Sequence, residues 1–156
     1  MQNVTGVVRR AALILTLAVC LVVIPGLTVA ALHEAARLHF DRLSDVQGAA
    51  EDKRSFDAFK HAYASGVTTI ALGDETAELL GHVVEFVEQD DCLEREHDLI
   101  NNREGRKLAL ATPGKDASRW RERFAAALFA AGSDPETVFS IRRKKDPRVL
   151  AICGSG

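Results

Sequence analysis

The sequence predicts an all-α protein, a compact bundle of four or five helices behind an N-terminal transmembrane or signal helix. Three observations carry this expectation. Apolar residues after position 54 recur at the three- and four-residue spacing of amphipathic helices, and no strand-like alternation of useful length appears. The periodic stretches are separated by short Gly-, Pro- and Asp-marked connections, which favour antiparallel neighbours. Hydrophobic residues make up 47% of the 156 and aromatic ones 6%, which suits a helical globular domain and argues against disorder.

The chain divides into an N-terminal segment (1–32), a helical stalk or linker (33–54), a helical domain (55–148) and a tail (149–156). Behind Arg9 and Arg10, Ala11 to Leu32 holds 22 residues without a charge, long enough to cross a bilayer as a helix. The basic flank keeps its own end cytoplasmic, so the rest is expected outside. Pro25-Gly26 interrupts the run, and Val29, Ala30 and Ala31 offer a small-residue cleavage pattern. Two readings stand: an inner-membrane anchor holding the domain outside the cytoplasm, or a cleaved signal releasing it to the periplasm or medium. The membrane is thus one expected partner.

Bulk charge excludes a nucleic-acid binder. The formal charge of −2 becomes −4 once Arg9 and Arg10 are set aside. The charges are segregated: Asp74 to Asp98 holds ten acids and one base, Arg103 to Arg148 twelve bases and six acids. The run Arg142 to Lys145 reads as a solvated helix C-terminus, with lipid headgroup contact as the rival reading. Cys20 lies in the apolar segment, leaving Cys92 and Cys153 as an even pair in an oxidising compartment, either bridged or free.

Residues 33–54 are polar, mixed and Ala-rich. A first helix from about Ser55 to Leu72 carries Phe56, Phe59, Tyr63, Val67 and Ile70 on one stripe and ends at Gly73. Asp74 opens a second, to about Gln89, with Leu79, Leu80, Val83, Val84 and Val87 as its expected core face. A third spans Asp91 to Ala111 and stops before Pro113-Gly114. Asp116 caps a fourth, expected to bury Trp120, Phe124, Ala127, Leu128 and Ala131. Ser133 to Glu136 is a capping box opening a fifth short helix that Asp146-Pro147 closes.

Candidate chemistry sits on three of these helices. Asp57 and His61 are i,i+4 neighbours, and a carboxylate there fixes the ring tautomer and raises its basicity, as a general base or metal ligand requires. They lie opposite the aromatic stripe, in line with Ala64 and Thr68 and beside Ser65, a small-residue line that admits another helix. The bland reading is an exposed ion pair. His82 and Glu85 are i,i+3, but together with Glu78 and Gln89 they read as a solvated face. On the third helix Asp98, Asn102, Gly105 and Ala109 share a face flanked by Asn101 and Arg106. Adjacent mid-helix asparagines and a glycine all cost helix propensity, so their presence points either to a ligand site or to a buried network that locks packing. Asp98 is expected either to anchor Arg106 or to bind a partner group. His97 falls on an apolar stripe with Leu93, Ile100 and Leu108 and reads as a core residue.

"FDAFKHAYASG" (56–66), "LLGHVVEF" (79–86) and "DLINNREGR" (98–106) resemble, in order and spacing, a family of small bacterial helical domains of unknown function. Its pattern runs roughly D-x-x-[RK]-H-A-x-x-[SA], then G-x-x-H-E, then D-x-x-N-N-x-x-G-R. The resemblance covers residues 55–111 and implies that Asp57, His61, Glu85, Asp98, Asn101, Asn102 and Arg106 serve one site. Val84 stands where that pattern has its second histidine, which puts any role of that histidine in doubt. "CLEREHDLINN" (92–102) also resembles the Cys…His-Asp helix of secreted phospholipases A2, which would make His97 the base and Asp98 a calcium ligand. No glycine-rich calcium loop precedes it.

The expectation is an exported envelope domain with one polar site. In a hydrolase His61, oriented by Asp57, and Asp98 would be catalytic, Asn101 and Asn102 would hold an oxygen, and Arg106 would meet an anion. Glu85 and His82 are additional candidates. No HExxH or clustered-cysteine motif specifies a zinc site, so the cofactor is undetermined, with a divalent metal compatible with the Asp57–His61 pair. The rival class is a non-catalytic module that stiffens the bundle or docks a protein.

Overall fold

The computed structural model describes residues 28–45, 53–88, 90–114, 116–133, 139 and 146–154. The described residues are all-helical, with no strand among them: α1 (28–45), α2 (Lys53–Leu72), α3 (Asp74–Glu88), α4 (Cys92–Ala111), α5 (Ala117–Ser133) and α6 (Pro147–Cys153). Two compact units divide after Glu34; of the first, Met1–Glu34, only 28–34 are described, and they are helical. Most of the apolar segment expected to meet a membrane therefore lies outside the described residues. Among the described helices none is long and apolar enough to cross a membrane.

Local chemistry sets the helix ends. Gly73, at φ +91°, stops α2 and sends its N–H back to the Thr69 carbonyl at 2.9 Å. Asp91 caps α4 by accepting from the Glu94 N–H at 2.9 Å, and Asp116 receives the Arg119 N–H at 3.1 Å. Thr68 and Thr69 return their hydroxyls to the carbonyls of Ala64 and Ser65, so neither interrupts α2.

In the second unit α2 is the central helix, packed on α3, α4 and α5, while α4 also meets α6. One flank of α2 joins an aromatic core. Phe40 lies edge-on to Phe59 and Phe129 at 5.4 Å each, Tyr63 stacks on Phe124 at 5.9 Å, and Phe124 on Trp120 at 4.9 Å. The other flank meets α4 without side chains between. A Cβ on Gly105 would stand 2.2 Å from the Ala62 carbonyl oxygen and 2.5 Å from its Cα. A Cβ on Gly66 would enter the Phe124 ring at 2.1 Å.

Three expectations need correction. Residues 35–45 do not stand off the domain as a stalk: Ala36, Phe40 and Ser44 are buried, because Phe40 fills the aromatic core. Asp146-Pro147 opens a further helix, α6. Asp146 caps α6 through the Arg148 N–H at 2.9 Å, and proline fits the first turn, where its missing N–H costs nothing. The tail is accordingly helical to Cys153, with Val149 buried and Cys153 bonded to Cys92 across a sequence separation of 61. That bridge closes a loop worth about 4 kcal/mol in chain entropy. The fifth helix placed between Ser133 and Lys145 lies almost wholly outside the described residues.

The largest correction is α3, whose packed side is a narrow line through Ala77, Gly81 and Glu85 and not the expected apolar face, of which Val84 alone is half-buried. Leu79, Leu80, Val83, Phe86 and Val87 are exposed, Phe86 to 82%, whereas Ala77 and Glu85 are buried. Small residues decide this. Ala77 and Gly81, four apart, let α3 approach α4 until a Cβ on Gly81 would sit 3.3 Å from Asn102 Nδ2. Glu85 continues the same line inward.

Two outcomes test this packing. Gly105→Ala should lower stability by about 3 kcal/mol in urea unfolding, since fixed backbone stands where the methyl goes, despite a helix-propensity gain of about 1 kcal/mol. Phe86→Ser should change the same free energy by less than about 0.5 kcal/mol, as for other surface positions.

Candidate functional site

The α2–α4 crossing places His61, the neighbour of Ala62, against the Asp98–Asn102 segment of α4. Asp98 and Asn102 share a face one turn apart, and Gly105 is the next residue along it. Glu85 arrives from α3. His61 Nε2 stands 3.5 Å from Asp98 Oδ2 and 3.9 Å from Asp57 Oδ1, and its Nδ1 stands 3.5 Å from Glu85 Oε1. Both ring nitrogens therefore face carboxyl groups, from three helices in all. Asn102 Nδ2 donates to Glu85 Oε1 at 3.4 Å, and Lys60 Nζ pairs with Asp57 Oδ1 at 2.7 Å.

Burial is uneven. The Glu85 side chain is 1% exposed and those of His61 and Asp98 about a tenth, while Asp57 is 52% exposed and opens the cluster to solvent. Glu85 Oε2 is buried and has no hydrogen-bond partner among the described residues. Among the described residues, oxygen and nitrogen atoms fall into three close groups with the spread of a metal's ligands, each within 4.8 Å: Asp57–His61–Asp98, His61–Glu85–Glu88 and Glu85–Asp90–Asp98.

The electrostatics follow from crowding in a dry place. Burial, then the charges of Glu88 and Asp90, push Glu85 up to about 7 against the opposing Asn102 hydrogen bond and Lys60 charge. Burial, then the charges of Asp57 and Glu85, push Asp98 up to about 8. Burial and the Lys60 charge lower His61 to about 4, against the pull of Asp57. At neutral pH the ring is uncharged, with one N–H to give and one lone pair to offer, and the Asp98 carboxyl keeps its proton. The centre is a set of proton-holding groups, with no fixed ion pair between His61 and its carboxyl neighbours.

The structure brings Asp57, His61, Glu85, Asp98 and Asn102 together. Glu85 leaves the solvated face assigned to it. Asn101 is buried on α4. Arg106 pairs not with Asp98 but with α3: its guanidinium is 2.8 Å from Asp74 and 3.1 Å from Glu78, tying α4 to α3. His82 is exposed on α3 and enters none of the three close groups. The ring that reaches Asp98 at 3.5 Å belongs to His61, one helix away from the neighbouring His97. Sequence reasoning missed Lys60, Glu88 and Asp90. Lys60 was detectable as the i+3 partner of Asp57, whereas Glu88 and Asp90 needed the packed side of α3 to be known.

Comparison of the chain with family models, with curated proteins and with solved structures finds no match. A function for this cluster has to be argued from its geometry and chemistry.

The protonation pattern sets a pH dependence of stability. Each raised carboxyl binds, in the folded state, a proton the unfolded chain has released, so folding weakens as pH climbs from 3.8 toward about 8 for Asp98 and from 4.5 toward about 7 for Glu85. His61 acts oppositely between about 4 and 6.5, where the unfolded chain binds a proton that the folded one lacks. Two carboxyls outweigh one imidazole below 6.5 and act alone above it. In chelating buffer the urea midpoint should therefore fall from pH 5.5 to pH 8.5, and Asp98→Asn should flatten that fall.

Proposed function

We propose that this chain is an exported, membrane-associated envelope domain that hydrolyses an envelope-facing substrate at the Asp57–His61–Asp98 cluster. The uncharged run Ala11 to Leu32 behind two arginines supports export and either an anchor or a cleaved signal. One observation carries the chemistry: a nearly buried, uncharged imidazole whose two nitrogens each meet a carboxyl group from a different helix at 3.5 Å. Packing alone gives no reason for it, because hydrophobic residues of similar volume often stabilise as well as a buried charged set or better. Groups poised to hold or release protons near neutral pH are what acid–base catalysis requires.

In the reaction, water adds across the scissile bond. Its hydroxyl goes to the electrophilic atom, its proton passes to the cluster, and the cluster returns a proton to the leaving atom. Half-exposed Asp57 marks the side from which water and substrate enter. Asn102 donates to Glu85 Oε1, and that same oxygen lies 3.5 Å from His61 Nδ1. The resemblance to the uncharacterised helical family selects these same positions.

The non-catalytic reading has its own support in Arg106, which serves as a strut between α3 and α4 and leaves no free cation in the role expected of it. A panel of ester, amide and phosphodiester substrates separates the two. His61→Ala should lower kcat/KM at least 100-fold with a melting shift of only a few degrees. A wild-type chain without turnover, together with a large melting loss in His61→Ala, would favour the structural module.

A further inference from the structure

We propose that Asp57, His61 and Asp98 form the three-ligand site of one divalent transition-metal cation, of the zinc or manganese kind, with Glu85 orienting the histidine. This deepens the hydrolytic reading and rests on the same cluster.

Ligand spacing is the first argument. Nitrogen and oxygen ligands about 2.1 Å from a tetrahedral ion lie about 3.4 Å apart. His61 Nε2 lies 3.5 Å from Asp98 Oδ2 and 3.9 Å from Asp57 Oδ1, and one ligand atom from each of the three residues falls within 4.8 Å of the others. Such distances are long for hydrogen bonds and suit atoms that share an ion.

The second argument is the partner of the other ring nitrogen. A metal-bound histidine gives its remaining N–H to a carboxylate or carbonyl, which fixes the tautomer and strengthens the ligand. His61 Nδ1 faces Glu85 Oε1 at 3.5 Å, and Asn102 steadies that same oxygen. Glu85 is almost completely buried, and among the described residues its Oε2 has no hydrogen-bond partner. A cation beside the ring compensates such a carboxylate electrostatically.

Third, the set has the composition and openness of a reactive site. Two carboxylates and one imidazole suit first-row divalent ions, and three protein ligands leave a coordination position for water. Asp57 puts that position on the solvent side. Lys60, 2.7 Å from Asp57 Oδ1, competes for the same oxygen and sets the affinity.

The test is calorimetric titration of the full-length chain in mild detergent at pH 7.5 with Zn²⁺, Mn²⁺ or Mg²⁺, paired with melting curves. One equivalent of Zn²⁺ or Mn²⁺ should bind and raise Tm, with Mg²⁺ weaker. Asp57→Asn, half-exposed and safe for folding, should weaken binding at least tenfold, and His61→Ala should abolish it. Glu85→Gln should cost 10- to 100-fold, and Lys60→Gln should tighten binding. Absence of binding at millimolar metal, or binding unchanged in Asp57→Asn and His61→Ala, overturns the site. Metal binding without turnover leaves this inference standing and removes the hydrolytic reading. Turnover indifferent to chelator does the reverse.

Discussion

Everything in the candidate site depends on one close approach: the backbone of α4 at Gly105 against the backbone of α2 at Ala62. Two helices with ordinary side chains between them keep their axes 8 to 10 Å apart. Here Gly105 removes the spacer, and Ala62, Ser65 and Gly66 supply no bulk on the facing side. His61 adjoins Ala62, and Asp98 lies two turns before Gly105. The crossing therefore sets the reach between imidazole and carboxyl. Were the helices held apart by one methyl layer, the 3.5 Å approach of His61 to Asp98 would be lost.

Much of this was readable in the sequence, for a specific reason. Asp98, Asn102 and Gly105 disfavour the helix that contains them, so each must be compensated by something outside it. Asp98 is met by His61, Asn102 by Glu85, and Gly105 by the Ala62 backbone. Likewise Asp57 and His61 share a face by i,i+4 spacing, and that face carried the small residues an approaching helix needs. Local rules also placed Gly73, Asp91 and Asp116 at helix ends, because those signals act within a few residues.

The orientation of α3 was not readable in the same way. A stripe of Leu79, Leu80, Val83, Val84 and Val87 reports which side of a helix is apolar, not which side is packed. Burial here follows shape: Ala77 and Gly81 offer the flat side that fits against α4, and Arg106 grips Asp74 and Glu78 at that end. Turning the stripe inward would expel Glu85 from the centre and break its approach to His61. The small-xxx-small pair at Ala77 and Gly81 was the available signal, outvoted by hydropathy. The same long-range dependence hid α1: a single phenylalanine, Phe40, in a polar Ala-rich stretch gives no periodicity, yet it fills a core built from α2 and α5.

Arg106 shows how position and role separate. Its guanidinium lies two turns along α4 from Asp98, and the sequence offered those two as partners. On a helix, residues eight apart are about 12 Å apart along the axis, near the limit of what arginine and aspartate span together. Asp74 and Glu78 are nearer because α3 runs beside α4. With arginine committed there, Lys60 is the cation left close to the cluster, and it pairs with Asp57 at the exposed edge. The buried carboxyls of Glu85 and Asp98 consequently hold protons near neutral pH instead of forming ion pairs. A protein that places its arginine as a strut and leaves two carboxyls around one neutral imidazole has spent its fixed charge on architecture and kept the exchangeable protons for the centre.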